Sequence, residues 1–451
     1  MAAEKTTATQ DIGQNNANSM SSKFTFWVQV VAGFFLMFNS WYAQYLILVN
    51  DPVNIQRRGL INAFGVFQEY YSSFDPTLAT PSSISWIGSL QTFLLLACGS
   101  ATGSLVDRGH AKLMSFSGCA LVTLGLLFTS FSGEFTSALR PVYYQVLLSQ
   151  GILSGLGMSL LLVPSTAIVP TYFTQNRAFA VGLANTGASL GGIIYPILTR
   201  RLLASIGFSW AMRATSLVVL VTTGIGGLLV RQRIELTKNP AKRTLYQFSC
   251  LKDTAYALFI AGVFFTFAGI YIPYFYISAW VRNTAFPLHD LSAYYLISIM
   301  NAGGLVGRII PNFIADKFVA GPVLTQALAA ISCGALAAGW TYIEKSLAGL
   351  IIWVVAYGFV SGSVISLIPA SAATLTHDMS TLGGRIGVLF AGNAVASLIG
   401  NPVAGVIQRD TEPGWRGLAT YCAVFNTLGG CLLAVCWTLN VRRRKKRGTG
   451  R

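Results

Sequence analysis

Arg177-Ala-Phe-Ala-Val-Gly-Leu-Ala-Asn185-Thr-Gly-Ala-Ser189-Leu-Gly-Gly192 has a loose second copy in this chain, Arg385-Ile-Gly-Val-Leu-Phe-Ala-Gly-Asn393-Ala-Val-Ala-Ser397-Leu-Ile-Gly400. An arginine is followed at +8 by asparagine, at +12 by serine and at +15 by glycine, both times, about 208 positions apart. Working outward, Leu105-Val106-Asp107-Arg108 is matched by Ile314-Ala315-Asp316-Lys317, and Pro164-Ser165-Thr166-Ala167 by Pro369-Ala370-Ser371-Ala372. The chain is thus two parallel repeats in tandem, and internal repeats of this kind are how many secondary transporters are built.

Composition says where such repeats live. Of 451 residues, 53% are hydrophobic and only 10% charged, and the mean hydropathy is +0.58. A water-soluble domain of this size has no need of so much apolar side chain. Hydrophobic runs long enough to cross about 30 Å of hydrocarbon recur about twelve times. They fall near 24–71 (interrupted), 84–106, 113–131, 142–163, 178–198, 209–230, 255–280, 291–314, 323–342, 347–369, 386–407 and 418–439. The fold class expected is an all-α membrane protein, twelve transmembrane helices in two pseudo-symmetric six-helix bundles around a central cavity.

The organisation follows. Residues 1–23 are polar, with no secretory signal, and read as a disordered cytoplasmic tail. An N-terminal bundle spans 24–230 with an atypical insert at 42–58, a cytoplasmic linker 231–254, a C-terminal bundle 255–440, and a basic cytoplasmic tail 441–451. The net charge of +16 does not indicate nucleic acid, because the cations gather between spans and at the end. Arg231, Arg233, Lys238, Lys242, Arg243 and Lys252 crowd the middle connection, and 442–447 is a basic run. Both read as cytoplasmic by the positive-inside rule, with Arg200, Arg201, Arg409 and Arg416 as exceptions on the opposite side. Of seven cysteines, all but Cys250 fall in spans without metal-type spacing, so no disulfide framework is implied.

Enzyme chemistry finds no support. His110, His289 and His377 lie in loops with no partner spacing for a metal or a nucleophile. No phosphate-cradling G-x-x-x-x-G-K-[ST] loop is present, so energy must come from gradients. No catalytic residue, metal or cofactor is expected. The acids Glu69, Asp107, Asp253, Asp290, Asp316, Glu344 and Asp378 all map to span ends or loops.

Against that background Arg308 stands alone among apolar, Gly-rich neighbours, about 12 Å from Asp316 at 1.5 Å per residue. A charge at that depth costs at least about 2.5–3.5 kcal/mol and marks a functional site by default. A carboxylate satisfies a guanidinium bidentately. The competing reading has Arg308 bracing the cytoplasmic gate through backbone carbonyls or the Asp316 region. Asn185, Asn301, Asn393, Gln91 and Gln150 line a cavity or hydrogen-bond between helices. Tyr271, Tyr274 and Tyr276 around Pro273 form an aromatic wall or an interfacial belt. Asp107 and Arg108, with Asp316 and Lys317, are expected as gating charge contacts that hold an outward-open state.

The stretch Gly103-Ser-Leu-Val-Asp107-Arg108-Gly109-His-Ala-Lys112 resembles the signature loop of the major facilitator superfamily, shortened by one residue before the glycine. Asn39-Ser-Trp41, Gly59-Leu-Ile-Asn-Ala-Phe-Gly-Val-Phe-Gln68, Ser83-Ser-Ile-Ser-Trp-Ile-Gly-Ser-Leu-Gln91 and Asn301-Ala-Gly-Gly-Leu-Val-Gly-Arg308 are similar to fungal members of its monocarboxylate porter family. The resemblance covers residues 24–439. It implies a secondary transporter, monomeric in the lipid bilayer, moving a small or medium organic anion by alternating access; the lack of organelle signals makes the plasma membrane the default location. Import and export of an acidic secondary metabolite are both implied. Among those residues it raises the weight of Arg308 as a substrate ligand.

Three departures qualify it. The family's Asp-Gly-Gly before the first span is replaced by Ser21-Ser-Lys-Phe24. The family's aspartate four residues before the helix-eight arginine is Gly304 here, and its first-span lysine has no counterpart near Ile61 and Asn62. Proton coupling would then fall to Glu69. Finally, Tyr42 to Arg58 interrupts a run that family members write continuously, adding seventeen residues with Asp51, Pro52, Arg57 and Arg58 inside a membrane helix. Unbroken, 24–71 would be about 72 Å of helix, over twice the bilayer. The insert reads as translated intron or gene-model error, or else as an extracellular elaboration. An alternative function follows from it, a transport-inactive membrane sensor or a defective gene product.

Overall fold

The computed structural model describes residues 24–40, 90–132, 143–232, 248–283, 290–317, 321–343, 346–410 and 414–448. The insert at 42–58 and Glu69 lie outside the described residues. Among the described residues all regular structure is helical. In chain order the helices are α1 (Phe24–Ser40), α2 (residues 90–107, with a turn at Cys98), α3 (Ala111–Phe131), α4 (Tyr144–Tyr172), α5 (Arg177–Leu203) and α6 (Ser205–Leu229). The second half repeats them as α7 (Thr254–Ile270, resuming as Ile272–Asn283), α8 (Asp290–Lys317), α9 (Gly321–Gly339), α10 (Leu347–Leu375), α11 (Leu382–Asp410) and α12 (Gly414–Gly448). Ten helices among the described residues are long and apolar enough to cross a membrane.

Lipid offers the backbone no hydrogen-bond partner, so helices that close their own bonds are the available spanning form. Side chains then sort by helical period. On α9, Val323, Gln326, Ala327, Ala330, Cys333, Gly334 and Ala337 are buried, whereas Leu328 is 56% exposed on the opposite face. Two helices, α4 and α12, run furthest past the spans expected from hydropathy. α4 continues past Val163 through Pro164 and Pro170 to Tyr172, where the hydroxyls of Ser165 and Thr166 accompany the prolines by bonding the carbonyls of Leu162 and Val163. Such neighbouring hydroxyls are how membrane helices tolerate proline. α12 continues past 439 through its basic run to Gly448, because Arg and Lys are good helix formers and cations favour a helix C-terminus.

Contacts within each half pair α3 with α6 and α4, α9 with α12, and α8 with α10. Between the halves, two antiparallel seams carry the main contacts, α5 against α8 and α2 against α11. One face of the bundle gathers the ends of these helices. There Gln29 of α1 bonds the carbonyl of Leu229 and the N–H of Arg231, Tyr172 of α4 bonds the Arg231 carbonyl, and Asp253 before α7 meets Arg443 of α12. We refer to it as the terminal face.

Candidate functional site

At the terminal face each seam is closed by one aspartate. Asp107, at the end of α2, accepts the N–H groups of Gly383 and Gly384 at 2.8 and 2.7 Å, the opening residues of α11. Asp316, near the end of α8, accepts those of Ala178 and Phe179 at 3.0 and 2.7 Å, the opening residues of α5. A helix leaves its first N–H groups unpaired and carries partial positive charge at that end, so a carboxylate there is doubly favoured. Both bonds cross from one half to the other. The sequence suggested contacts between charged side chains here. In the structure both aspartates reach backbone N–H groups across the seam, and Lys317 lies over the Phe313 ring, 5.6 Å from its centroid.

Close approach makes these caps possible. A methyl on Gly103 would collide with the Gly383 carbonyl oxygen, and one on Gly182 with the Arg308 carbonyl oxygen. The two glycines therefore set how near the halves come.

Deeper along the α5–α8 seam lies Arg308, 4% exposed. Its Nη1 donates to the Asn185 carbonyl oxygen of α5, in the other half. Its Nε is buried with no partner, and no ion pair to a carboxylate holds the guanidinium among the described residues. At Gly304, one turn earlier, a side chain would begin 3.3 Å from the Gly358 carbonyl oxygen and 3.4 Å from Ser189 Oγ. A Cβ there would sit in close contact with both α10 and α5. Asn312, one turn later, donates to the Arg308 carbonyl at 2.8 Å and to Ser366 Oγ at 2.6 Å, while Asn185 Nδ2 reaches the Ser366 carbonyl at 3.4 Å. α5, α8 and α10 are thereby knitted around the guanidinium.

The other residues singled out in the sequence are dispersed around this cluster. Asn301 is buried against Gly192 of α5, and its amide donates to the Ile297 carbonyl of its own helix at 3.0 Å. Tyr274 pairs its hydroxyl with Ser361 Oγ at 2.9 Å, and its ring lies 6.2 and 6.3 Å from those of Tyr271 and Tyr357. Tyr271, Tyr274 and Tyr276 are all buried; α7 breaks at Tyr271 beside Pro273, and the rings of Tyr274 and Tyr276 meet Tyr357 of α10 and Trp415 of α12. Asn393 is fully buried on α11 with neither amide atom partnered. Gln91 donates to Met158 Sδ at 3.6 Å, leaving Oε1 unpartnered.

Sequence reasoning passed over Asn312 and Ser366. The available signal was spacing, since Asn312 is at i+4 from Arg308 and shares its helix face. It also passed over Asp253, which joins three helices: it caps α7 through Ala255 N–H at 3.2 Å and meets Arg443 of α12 at 2.5 Å and Arg385 of α11 at 3.7 Å. Burial by itself pushes the Asp253 carboxyl up, but the hydrogen bond and charge of Arg443, the Ala255 N–H and the charge of Arg385 together bring it below its ordinary value. No group of three or more His, Cys, Asp or Glu that would hold a metal occurs among the described residues.

A bundle of apolar helices in two repeated halves, joined by carboxylate-to-helix caps, is the architecture of an integral membrane protein. Residues 30–381 match the family model described as Major Facilitator Superfamily, and the chain belongs to that family. It is a transporter and not an enzyme. Among similar proteins, an MFS-type transporter of Emericella nidulans is 34% identical over 411 residues, spanning 91% of this chain and 85% of that one. The aspyridones efflux protein of the same organism is 34% identical over 378 residues, 83% of this chain and 73% of its own length. In fold, the chain is similar to the crystal structure of the Escherichia coli fucose:proton symporter, with a TM-score of 0.66 at 14% identity, covering 91% of this chain and 98% of the symporter chain.

Proposed function

We propose that this transporter exports a small or medium organic anion, an acidic secondary metabolite or monocarboxylate-like compound, by alternating access. The observation that carries the reading is the unspent edge of Arg308. Nη1 is used on the Asn185 carbonyl, but Nε has no partner, and a carboxylate grips a guanidinium with two parallel bonds. With no acid paired to it among the described residues, a cation buried within an apolar helix is neutralised by cargo in this reading. Efflux is supported by similar fungal proteins named as efflux proteins for aspyridones and agnestins. The narrower resemblance to monocarboxylate porters fits the same anion chemistry.

Asp107 and Asp316 act in this reading as latches. Each cap must break for the terminal face to open, and both remake when it closes. We place that face in the cytoplasm of a plasma-membrane protein, on the basis of the basic run at 442–447. The carrier works as a monomer, and Glu69 is the proposed proton-coupling residue.

The test is metabolite profiling of cells lacking the gene, followed by transport of the accumulating acid into inside-out vesicles by the full chain and by a form without 42–58. Efflux by the full chain that fails in Arg308→Gln supports the reading. Transport only by the shortened form makes the insert a defect; transport by neither favours a sensor. Unchanged anion transport by both Arg308→Gln and Arg308→Lys removes Arg308 from the binding role.

A further inference from the structure

Asn393 is the repeat counterpart of Asn185, yet its surroundings are opposite. Asn185 has its carbonyl occupied by Arg308 and its amide on α10. Asn393 is 0% exposed and both its Oδ1 and Nδ2 are without a partner. A buried polar group left unpaired forfeits its hydrogen bonds to water with nothing in return, so two on one side chain call for a physical reason.

Position supplies one. Asn393 lies one turn beyond Phe390, which packs at 3.0 Å against the site of a side chain on Gly99 of α2. Gly99 is the repeat counterpart of Arg308, by the same register that matches Asp107 with Asp316. The neighbouring Gly392 faces Ile260 of α7. Asn393 is therefore next to the α2–α11 seam, where the halves part, ten residues or about 15 Å from the Asp107 cap. Arg308 is eight residues, about 12 Å, from Asp316 on the other seam. The two residues share a depth and flank the inter-half boundary from opposite sides.

We infer that Asn393 is a second cargo contact, specific for a neutral group with both a hydrogen-bond acceptor and a donor, such as a carboxamide, lactam or hydroxyl. This rests on the reading of Arg308 as the anion site and deepens it: the cargo is a bifunctional molecule, acidic at one end and neutral but polar at the other. The amide offers one acceptor and two donors, so a carboxamide pairs with it through two antiparallel bonds. No solvent reaches Asn393 in the conformation described, so it meets cargo only as the α2–α11 seam opens. A site built to hydrogen-bond a ligand group rejects an isostere that lacks it, because its own polar atoms are then stranded.

Gln326 provides an internal control. It too is fully buried with both amide atoms unpartnered, but it sits on α9, which packs within its own half on α10 and α12. The experiment measures binding of 4-carbamoylbenzoate and of the isosteric 4-isopropylbenzoate to the full chain in nanodiscs, for wild type, Asn393→Leu and Gln326→Leu. Wild type is expected to prefer the carbamoyl acid by roughly tenfold or more. Asn393→Leu should lose that preference while keeping its affinity for the isopropyl acid and melting no lower than wild type; Gln326→Leu should keep the preference. Equal effects of Asn393→Leu on both acids, or none, overturn the inference and leave the anion reading intact. A wild-type protein that binds both acids without preference overturns it as well. Failure of wild type to bind either acid, or binding of both undiminished in Arg308→Gln, overturns the anion reading and the inference with it.

Discussion

The two seams between the halves are alike at the terminal face and unlike at mid-depth. At their ends, Asp316 on the α5–α8 seam and Asp107 on the α2–α11 seam make the same pair of bonds to the first N–H groups of the opposing helix. Eight residues inward, one seam carries Arg308 and the other Gly99. The repeat is kept at the terminal face and lost at mid-depth; under the proposed function the first is where the halves latch and the second is where cargo is recognised. A carrier needs symmetry to rock, but a small asymmetric molecule is recognised by asymmetric groups.

Removing the mid-depth difference should have the largest effect. Arg308→Gln is expected to lower anion transport by 100-fold or more, on the order of what loss of a buried charge-assisted pair costs. Arg308→Lys should recover part of it, since a point charge replaces a planar fork. Vesicle transport at matched protein amounts measures both.

Thickening either seam tests whether it must close. Gly103→Val and Gly182→Val each place side-chain atoms into an opposing carbonyl oxygen, an overpacking that typically costs about 1–3 kcal/mol. Both should hold the terminal face open, read as increased labelling of a single cysteine introduced at that face. If one seam tolerates the change and the other does not, the latching is not symmetric after all.

A smaller shift is expected from the caps themselves. Asp107→Ala and Asp316→Ala each lose a charged cap worth about 1–2 kcal/mol, a change of roughly 5–30-fold in the open-to-closed ratio, measurable as a distance distribution between spin labels on α2 and α11 or on α5 and α8. Near-equal effects from the two would sharpen the picture of matched latches.

The least effect belongs to Asp253, which lies within one half. Its carboxyl is held below the ordinary 3.8 by Arg443 and Arg385 against the opposing effect of burial. A depressed carboxyl contributes stability that is complete above its unfolded value and is lost as pH falls through the lower folded value. The contact of α12 with α7 should therefore persist from neutral pH to about 4 and weaken only below. Asp253→Asn should lower the melting temperature slightly at pH 7 and not at all at low pH.

How much of this was legible in the chain differs from residue to residue. The solitary cation at Arg308 could be read directly, since any charge in an apolar run is conspicuous. The matched pairs Asp107–Asp316 and Asn185–Asn393 were visible as a repeat. The partners of Asp107 and Asp316 were not, because a backbone N–H has no signature in the sequence; only the helix start brought across the seam reveals it. The tyrosines around Pro273 read as well for a belt as for a wall, and only the structure shows all three buried.

Composition, hydropathy and repetition determined that the chain is a membrane-spanning bundle of two like halves with a cation inside an apolar run, because lipid forces those features to be written in residue type and period. Which atoms satisfy that cation, which leave Asn393 unsatisfied, and which glycines let the halves meet were decided only by tertiary structure. Those relations join residues more than a hundred positions apart, and whether a polar atom is paired depends on the approach of another helix, not on its own neighbours in the chain.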